Sequence, residues 1–228
     1  MKEKELLKGL NEKSIFSVQD IRRIGNYSKE YSKLVLNRLT KRKSIKKITK
    51  NSYTTQKDIL MIASNLKIPS YISFWSASSY YGFTEQILNK IYVACTRKID
   101  SINFEGYKIK FIKLKYFFGY NKIKTENGEI FIAEQEKLLI DSLLYQKEMG
   151  NFDEIEKVFK KSKISIEKII EYLKKINNLS LTKKVGYLIE KHKGIDLSKH
   201  FKMDKNYTYL NQFSKRYKKL NPKWRLYI

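Results

Sequence analysis

Two short helical patterns joined by a tight turn constrain the beginning of this chain most strongly. The stretch SVQDIRRI, residues 17–24, opens with a serine that can cap a helix, and its apolar residues recur at helical spacing. The residues GNYS follow; glycine and asparagine favour turn conformations, and Ser28 can cap the next helix, residues 29–42. A helix, a tight turn and a second helix have the size and order of a helix-turn-helix.

The segment after the second helix has the pattern of a short hairpin. In SIKKITKNSYTT, Ile45 and Ile48 are apolar, lysines lie between and after them, and Asn51–Ser52 can turn the chain back toward Tyr53. A hairpin in this place corresponds to the wing of a winged helix. The sequence therefore predicts a winged helix-turn-helix domain over residues 1–58.

The second helix and the wing have side chains that suit double-stranded DNA. A helix can enter the major groove, where asparagine pairs with adenine and lysine reaches guanine or phosphate, while wing lysines contact phosphates. The predicted DNA-binding residues are Ser28, Lys29, Lys33, Asn37, Arg38, Lys41, Arg42, Lys46, Lys47, Lys50, Asn51 and Tyr53. The alternative is a solvated basic helical hairpin that only packs against the rest of the chain.

A helical wheel divides the second helix into two sides. The residues on the predicted inner side are Leu34, Val35 and Leu39, and those on the outer side are Lys29, Lys33 and Asn37. Three further residues fall near the boundary between the sides and are not oriented by the pattern: Tyr31, Leu36 and Arg38.

The net charge of +25 is concentrated toward the two ends of the chain. Residues 1–58 hold 16 Lys and Arg against 6 Asp and Glu, and residues 197–228 hold 9 against 1, whereas residues 131–196 hold 13 against 11. A codon bias toward lysine explains part of the excess but would spread it more evenly. Two basic ends around a nearly balanced middle indicate two anionic contacts or one shared surface.

The remaining residues, 59–228, predict a second domain that mixes helices and strands. Two helices are expected around Pro69, the second over residues 73–81. KIYVACT predicts a buried strand, and EGYKIKFIKLKYFF predicts a half-buried strand with a bulge or bend at Phe111–Ile112, where two apolar residues adjoin. Helical patterns follow, most clearly in ISIEKIIEYLKKI. The expected fold class is α+β: a winged helix-turn-helix followed by a mixed α/β domain that ends in helices.

No arrangement of residues typical of an enzyme emerges. Glu136 and Asp141, in a helix that follows a short strand, could serve a nuclease, but no matching acidic residue and lysine lie at a motif-like spacing, which favours helix-end and surface roles. Cys95 is the single cysteine, and His192 and His200 lie eight residues apart, so no metal or cofactor is expected. Phosphate-loop and nucleophile-elbow motifs are also missing from the sequence, which favours a binding protein.

Two further features of the sequence concern location and partners. No apolar run reaches the roughly 18 residues that a bilayer span requires, and MKEKELLKGLNEK has no apolar signal core, so a cytoplasmic protein without a membrane partner is expected. The tail, residues 200–228, mixes aromatic and basic residues, which suits DNA, RNA or an acidic protein surface.

The order of these segments resembles the AbiEi family of antitoxins, the transcriptional-regulator half of type IV toxin–antitoxin systems. VLNRLTKRKSIKKITKNSY is similar to the family's recognition helix and wing, and YISFWSASSYYGF is similar to its helix of small and aromatic residues. IFIAEQEKLLIDSLLY resembles its strand followed by a helix that starts Ala-x-Pro-Glu-Lys and runs Leu-Leu-x-Asp. Gln135 replaces the usual proline of that helix, and Asn51 replaces the usual glycine of the wing. The resemblance covers about residues 15–145.

The resemblance implies a function for each part of the chain. The winged helix would bind inverted repeats in the chain's own promoter and repress the operon, and the C-terminal domain, residues 59–228, would counteract a nucleotidyltransferase-like toxin. Direct contact with that toxin is left open. Two alternatives from other functional classes also stay open: a nucleic-acid-processing enzyme targeted by the winged helix, and an RNA-binding protein that uses the basic and aromatic tail.

Overall fold

The computed structural model describes residues 3–126, 128–213 and 219–228. Its architecture is α+β, as the sequence predicts, with N-terminal helices and a small hairpin, a six-stranded mixed sheet and C-terminal helices. The chain divides into two compact units. The first comprises Met1–Ile72, Asn89–Phe117 and Asn121–Ile132, and the second comprises Ser73–Leu88, Phe118–Tyr120 and Ala133–Ile228. The sequence predicts a domain boundary between residues 58 and 59. A domain is a part that folds independently, which these two units do not test, so that boundary stays a prediction.

The first unit begins with the helices and hairpin expected of a winged helix. These elements are α1 (Glu3–Asn11), α2 (Val18–Gly25), α3 (Lys29–Lys41), β1 (Lys46–Thr49), β2 (Ser52–Thr54) and α4 (Ile59–Asn65). Both helices around the turn and the hairpin are confirmed. Leu6 and Leu10 of α1 share a hydrophobic cluster with Ile21 of α2 and Leu36 and Leu39 of α3. Removing these side chains from water stabilises the packing of the three helices.

The rest of the first unit is built on the six-stranded sheet. Its strands are β3 (Ser70–Ile72), β4 (Lys90–Cys95), β5 (Ile102–Phe104), β6 (Tyr107–Lys113), β7 (Tyr120–Thr125) and β8 (Gly128–Ala133), in the order β5-β6-β4-β3-β8-β7. Strand β4 pairs parallel with β6 and antiparallel with β3. The buried strand predicted from KIYVACT is therefore confirmed as an interior strand of the sheet.

One expectation about this region is wrong, and a second is confirmed. The register of β4 with β6 runs without interruption through Phe111 and Ile112, so there is no bulge between these two strands. Both side chains are buried, because a strand inside a sheet can have both of its faces covered and then loses the alternation of a half-buried strand. The two helices expected around Pro69 are confirmed: α4 ends before this proline, and the second helix, Phe74–Tyr80, begins after Ser73. The short strand β3 lies between them and pairs with β4, which the sequence does not predict.

The second unit consists mainly of helices. They are α5 (Phe74–Tyr80), α6 (Gln135–Leu144), α7 (Phe152–Lys161), α8 (Ile166–Ile176) and α9 (Leu179–Lys193), with short 3-10 turns at Gln146–Met149 and Ser198–His200. Three short strands follow, β9 (Thr208–Tyr209), β10 (Leu220–Asn221) and β11 (Leu226–Tyr227), which form a small sheet in the order β10-β11-β9.

A tryptophan attaches the tail to α9. Trp224 is fully buried, and its indole nitrogen donates a hydrogen bond to Glu190 at 2.5 Å. The ring lies so close to Gly186 that a Cβ atom there would come within 2.1 Å of it, so only glycine fits at this point of the helix. Trp224 therefore has a structural role, while residues 214–218 of the tail lie outside the described residues.

Candidate nucleic-acid interface

Hydrogen bonds at the start of each helix fix the helix-turn-helix. The Asp20 carboxylate accepts bonds of 2.8 Å from both the backbone nitrogen and the hydroxyl of Ser17, which caps α2. Lys13 pairs with the same carboxylate. Burial raises the pKa of Asp20, but the bonds from Lys13 and Ser17 outweigh it and hold that pKa below its ordinary value. At α3, Ser28 Oγ accepts from the Tyr31 backbone nitrogen at 3.2 Å, as a capping serine should.

The inner side of α3 differs from the predicted one. Ser32, Leu36 and Leu39 are buried, whereas Leu34 is 53% exposed. The prediction that Leu34 faces the core is therefore wrong, and Leu36, which the wheel left unoriented, takes that place with an exposure of 3%. The physical reason is that Ser32 can be buried, because its hydroxyl donates to the Ser28 carbonyl at 2.8 Å, and this rotates the buried face toward Ser32.

The exposed face of α3 has several cations without a counter-charge. Lys29, Lys33, Asn37, Arg38 and Lys41 are all exposed. Within the described part of the chain, none of the four cations makes an ion pair, and the Asn37 amide has no hydrogen-bond partner. Such groups keep their full capacity to bind phosphates or base edges.

Two of the predicted cations are already paired inside the first unit. Arg42 Nη1 lies 2.7 Å from the Glu3 carboxylate, and Lys46 Nζ lies 2.5 Å from the Glu105 carboxylate. An ion pair within the protein must be broken or shared before the same cation can neutralise a phosphate. We therefore expect these two residues to contribute less to DNA affinity than their unpaired neighbours.

The wing presents its tip to solvent and anchors its base in the core. Strands β1 and β2 pair antiparallel, with a register irregularity between Lys47 and Thr49, and Lys47, Lys50 and Asn51 are exposed. Tyr53 was expected among the DNA-binding residues, but its side chain is buried and stacks on Phe16 at 6.3 Å between ring centroids. The backbones of Phe16 and Tyr53 also exchange two hydrogen bonds of 2.9 Å. The structure therefore gives Tyr53 a role in fixing the wing, and with a residue exposure of 8% little of it is available to DNA.

Three exposed residues on α3 were missed by the sequence reasoning. Leu34 lies in the middle of the exposed face, with Glu30 and Tyr31 one turn before it. A helical wheel that places Ser32 on the buried side would have found this face. On such a wheel, the direction opposite the buried Ser32, Leu36 and Leu39 is occupied by Glu30, Leu34 and Lys41.

The carboxylates of α6 are buried and have partners within the second unit. Asp141 pairs with Lys137, both side chains are fully buried, and the Ser73 hydroxyl donates to the second Asp141 oxygen at 2.9 Å. Glu136 accepts a bond of 2.8 Å from the Ser165 backbone nitrogen. The expectation of helix-end and surface roles is wrong for Asp141, because the carboxylate forms an internal ion pair. Among the described residues, no group of three or more His, Cys, Asp and Glu side chains is arranged to hold a metal ion.

Comparisons with known proteins support the fold. No protein-family model matches the chain, and no curated protein matches it. Among solved structures, the chain is similar to the crystal structure of the RV2827C protein from Mycobacterium tuberculosis, with a TM-score of 0.64 and 10% sequence identity, over 98% of this chain and 89% of that chain. In the described residues no helix is both long and apolar enough to cross a membrane. At this level of identity the likeness concerns the arrangement of helices and strands alone.

Proposed function

We propose that this chain is a DNA-binding transcriptional autorepressor and the antitoxin of a type IV, abortive-infection toxin–antitoxin system. The observation that carries the DNA-binding part is the group of unpaired cations around Asn37 on the exposed face of α3, beside an exposed basic hairpin tip. Unpaired cations gain free energy from phosphates chiefly by releasing the counterions that DNA condenses.

The two elements have different tasks in this proposal. Helix α3 enters the major groove, where Asn37 bonds to the N6 and N7 atoms of an adenine and Lys33 reaches a guanine or a phosphate. Lys47 and Lys50 of the wing bind phosphates and supply affinity without sequence preference. Occupation of the inverted repeats in its own promoter then represses the operon.

The antitoxin part rests on the resemblance of YISFWSASSYYGF and IFIAEQEKLLIDSLLY to the AbiEi family. The functional partner is a nucleotidyltransferase-like toxin, and stable contact between the two proteins is not required. Expression of this chain should restore growth to cells that express a nucleotidyltransferase-like toxin from the same operon. The double variant Lys33→Ala/Asn37→Ala should restore growth equally well, because those side chains serve DNA.

A gel-shift titration tests the DNA-binding part directly. The purified chain is titrated against its own upstream DNA, a scrambled duplex of equal length and a single-stranded RNA, each at two salt concentrations. We expect tighter binding to the upstream duplex that persists at the higher salt. Equal binding to both duplexes that collapses with salt would leave only a phosphate-seeking surface, and preference for the RNA would favour the RNA-binding alternative.

A matched pair of variants locates the interface. Lys33→Ala/Asn37→Ala should weaken binding to the upstream duplex. The matched control, Lys98→Ala/Asn103→Ala, removes the same two residue types from exposed positions elsewhere in the first unit and should leave this binding unchanged. Lys47→Ala should weaken binding to every duplex and reduce the slope of log K against log salt by about 0.9. Unchanged operator binding by the Lys33/Asn37 variant would show that α3 is not the recognition helix.

A further inference from the structure

The exposed face of α3 has two adjoining apolar side chains among its charged ones. Leu34 is 53% exposed, and Tyr31, one turn before it, is 43% exposed. A solitary exposed leucine is common on protein surfaces and needs no explanation. Here, however, two apolar side chains adjoin on one helix face, and the residues around them on that face are polar or charged: Glu30, Lys33, Asn37, Arg38 and Lys41.

The position of Leu34 relative to Asn37 is set by the helix. Residues three apart lie on the same face with Cβ atoms about 5–6 Å apart. Successive base pairs of a duplex are about 3.4 Å apart along its axis, so two such side chains span one or two base-pair steps. When Asn37 bonds to an adenine, Leu34 lies over the same base pair or its neighbour.

The chemistry of the major groove restricts what a leucine can contact there. The edges of guanine, cytosine and adenine present hydrogen-bond donors and acceptors, and thymine alone presents a C5-methyl group. An aliphatic side chain pressed against a donor or acceptor removes water from it without replacing the hydrogen bond, which is unfavourable. Against the methyl group the same side chain removes apolar surface from water, which is favourable.

We propose that Leu34 contacts a thymine methyl group beside the adenine bound by Asn37, so that α3 selects A·T base pairs. This inference rests on the proposed DNA binding and adds the class of base sequence to it. Tyr31 borders the same apolar surface, and its ring is held by an edge contact with Tyr27 at 4.9 Å between centroids. The neighbouring cations hold the helix against the phosphates but do not discriminate between bases.

Replacement of thymine by deoxyuridine isolates the methyl group, because the two bases differ in nothing else. The duplex used is the upstream DNA that the chain protects in a footprint, with each thymine replaced in turn, and the readout is the dissociation constant from fluorescence anisotropy. For the wild type we expect the affinity to fall about four-fold when thymine is replaced at one or two positions. A change of this size corresponds to the free energy of burying one methyl group. Leu34→Ala should bind the thymine and deoxyuridine duplexes equally, at the weaker affinity.

Controls separate this inference from the proposed function. Leu34→Ala should melt at the wild-type temperature because the side chain is exposed, and Lys47→Ala should bind more weakly yet keep the four-fold difference. Specific operator binding without any effect of deoxyuridine would overturn the inference and leave the proposed function intact. Persistence of the difference in Leu34→Ala would assign the methyl contact to another residue. If Leu34→Ala changes the oligomeric state and leaves the base preference unchanged, the apolar surface is a protein interface. If the wild type binds no duplex, both proposals are refuted.

Discussion

The buried ion pair of α6 allows a sharp prediction about stability. Lys137 and Asp141 are both fully buried, one helical turn apart, and Asp141 also accepts the hydroxyl of Ser73. Asp141→Asn keeps the shape of the side chain and removes only its charge, which deprives the buried Lys137 ammonium of the carboxylate that pairs with it. Breaking a buried pair in this way costs about 3–5 kcal/mol of unfolding free energy.

The two tryptophans make the assay specific to the unit that contains the pair. Trp75 and Trp224 both belong to the second unit, so urea denaturation followed by tryptophan fluorescence reports on that unit. The matched control is Lys191→Met, which breaks the Lys191–Glu156 pair in the same unit, whose side chains are 42% and 29% exposed. Exposed pairs contribute about 0–1 kcal/mol, so the control should unfold close to the wild-type midpoint.

A double variant tests whether charge, and not packing, causes the loss. Lys137→Met/Asp141→Leu replaces the pair by apolar side chains of similar volume and should be more stable than either single variant, although the Ser73 hydroxyl loses its acceptor at a cost of about 1 kcal/mol. The single variant Lys137→Met leaves a buried carboxylate that can take up a proton, so its deficit should shrink as the pH falls. If Asp141→Asn unfolds at the same urea concentration as Lys191→Met, loss of the buried charge costs no more than loss of an exposed pair, and the expected cost of about 3–5 kcal/mol is refuted.

Three further predictions concern the first unit. Glu105→Gln releases Lys46 from its ion pair and should tighten binding to any duplex. The slope of log K against log salt, measured by fluorescence anisotropy at several salt concentrations, should steepen by about 0.9. An unchanged slope would mean that Lys46 does not reach DNA. Asp20→Asn removes the charge that pairs with Lys13 and lies at the start of α2, and should cost about 1 kcal/mol at neutral pH, seen by circular dichroism. Because the pKa of Asp20 is lowered on folding, its contribution is present above the ordinary aspartate pKa and lost as the pH falls through the folded value, so variant and wild type should converge in acid. Tyr53→Phe should keep the DNA affinity, because the ring packs on Phe16; a loss of affinity without a loss of stability would return the Tyr53 hydroxyl to the interface.

Local signals made the helix-turn-helix and the wing predictable. Ser17 and Ser28 are capping residues whose bonds reach only three positions along the chain, so the pattern of a short segment contains the whole interaction. The orientation of α3 could not be obtained in this way. Five apolar or aromatic residues are distributed around much of the helix, and the inner direction depends on Ser32, a polar residue that is buried only because the Ser28 carbonyl accepts its hydroxyl.

Interactions between distant positions explain the remaining differences. Asp141 is separated by 68 residues from Ser73, which donates to it, and nothing in the stretch EQEKLLIDSLL indicates that its carboxylate is buried. The same holds for Arg42 and Lys46, whose partners Glu3 and Glu105 lie 39 and 59 positions away. A count of basic residues in sequence therefore overestimates the cations that are available to DNA.

The slope of affinity against salt can decide how many of these cations reach phosphates. Among the residues that the structure describes, six cations of α3 and the wing make no ion pair: Lys29, Lys33, Arg38, Lys41, Lys47 and Lys50. If each neutralises one phosphate, log K should fall with log salt at a slope of about −5 for each bound chain. Participation of Arg42 and Lys46 would steepen the slope to about −7 and would require their bonds to Glu3 and Glu105 to break on binding. A slope near −5 that becomes steeper in Glu105→Gln would show that the internal carboxylates limit non-specific affinity. Discrimination between sequences would then depend on Asn37 and Leu34, two uncharged side chains of the exposed face.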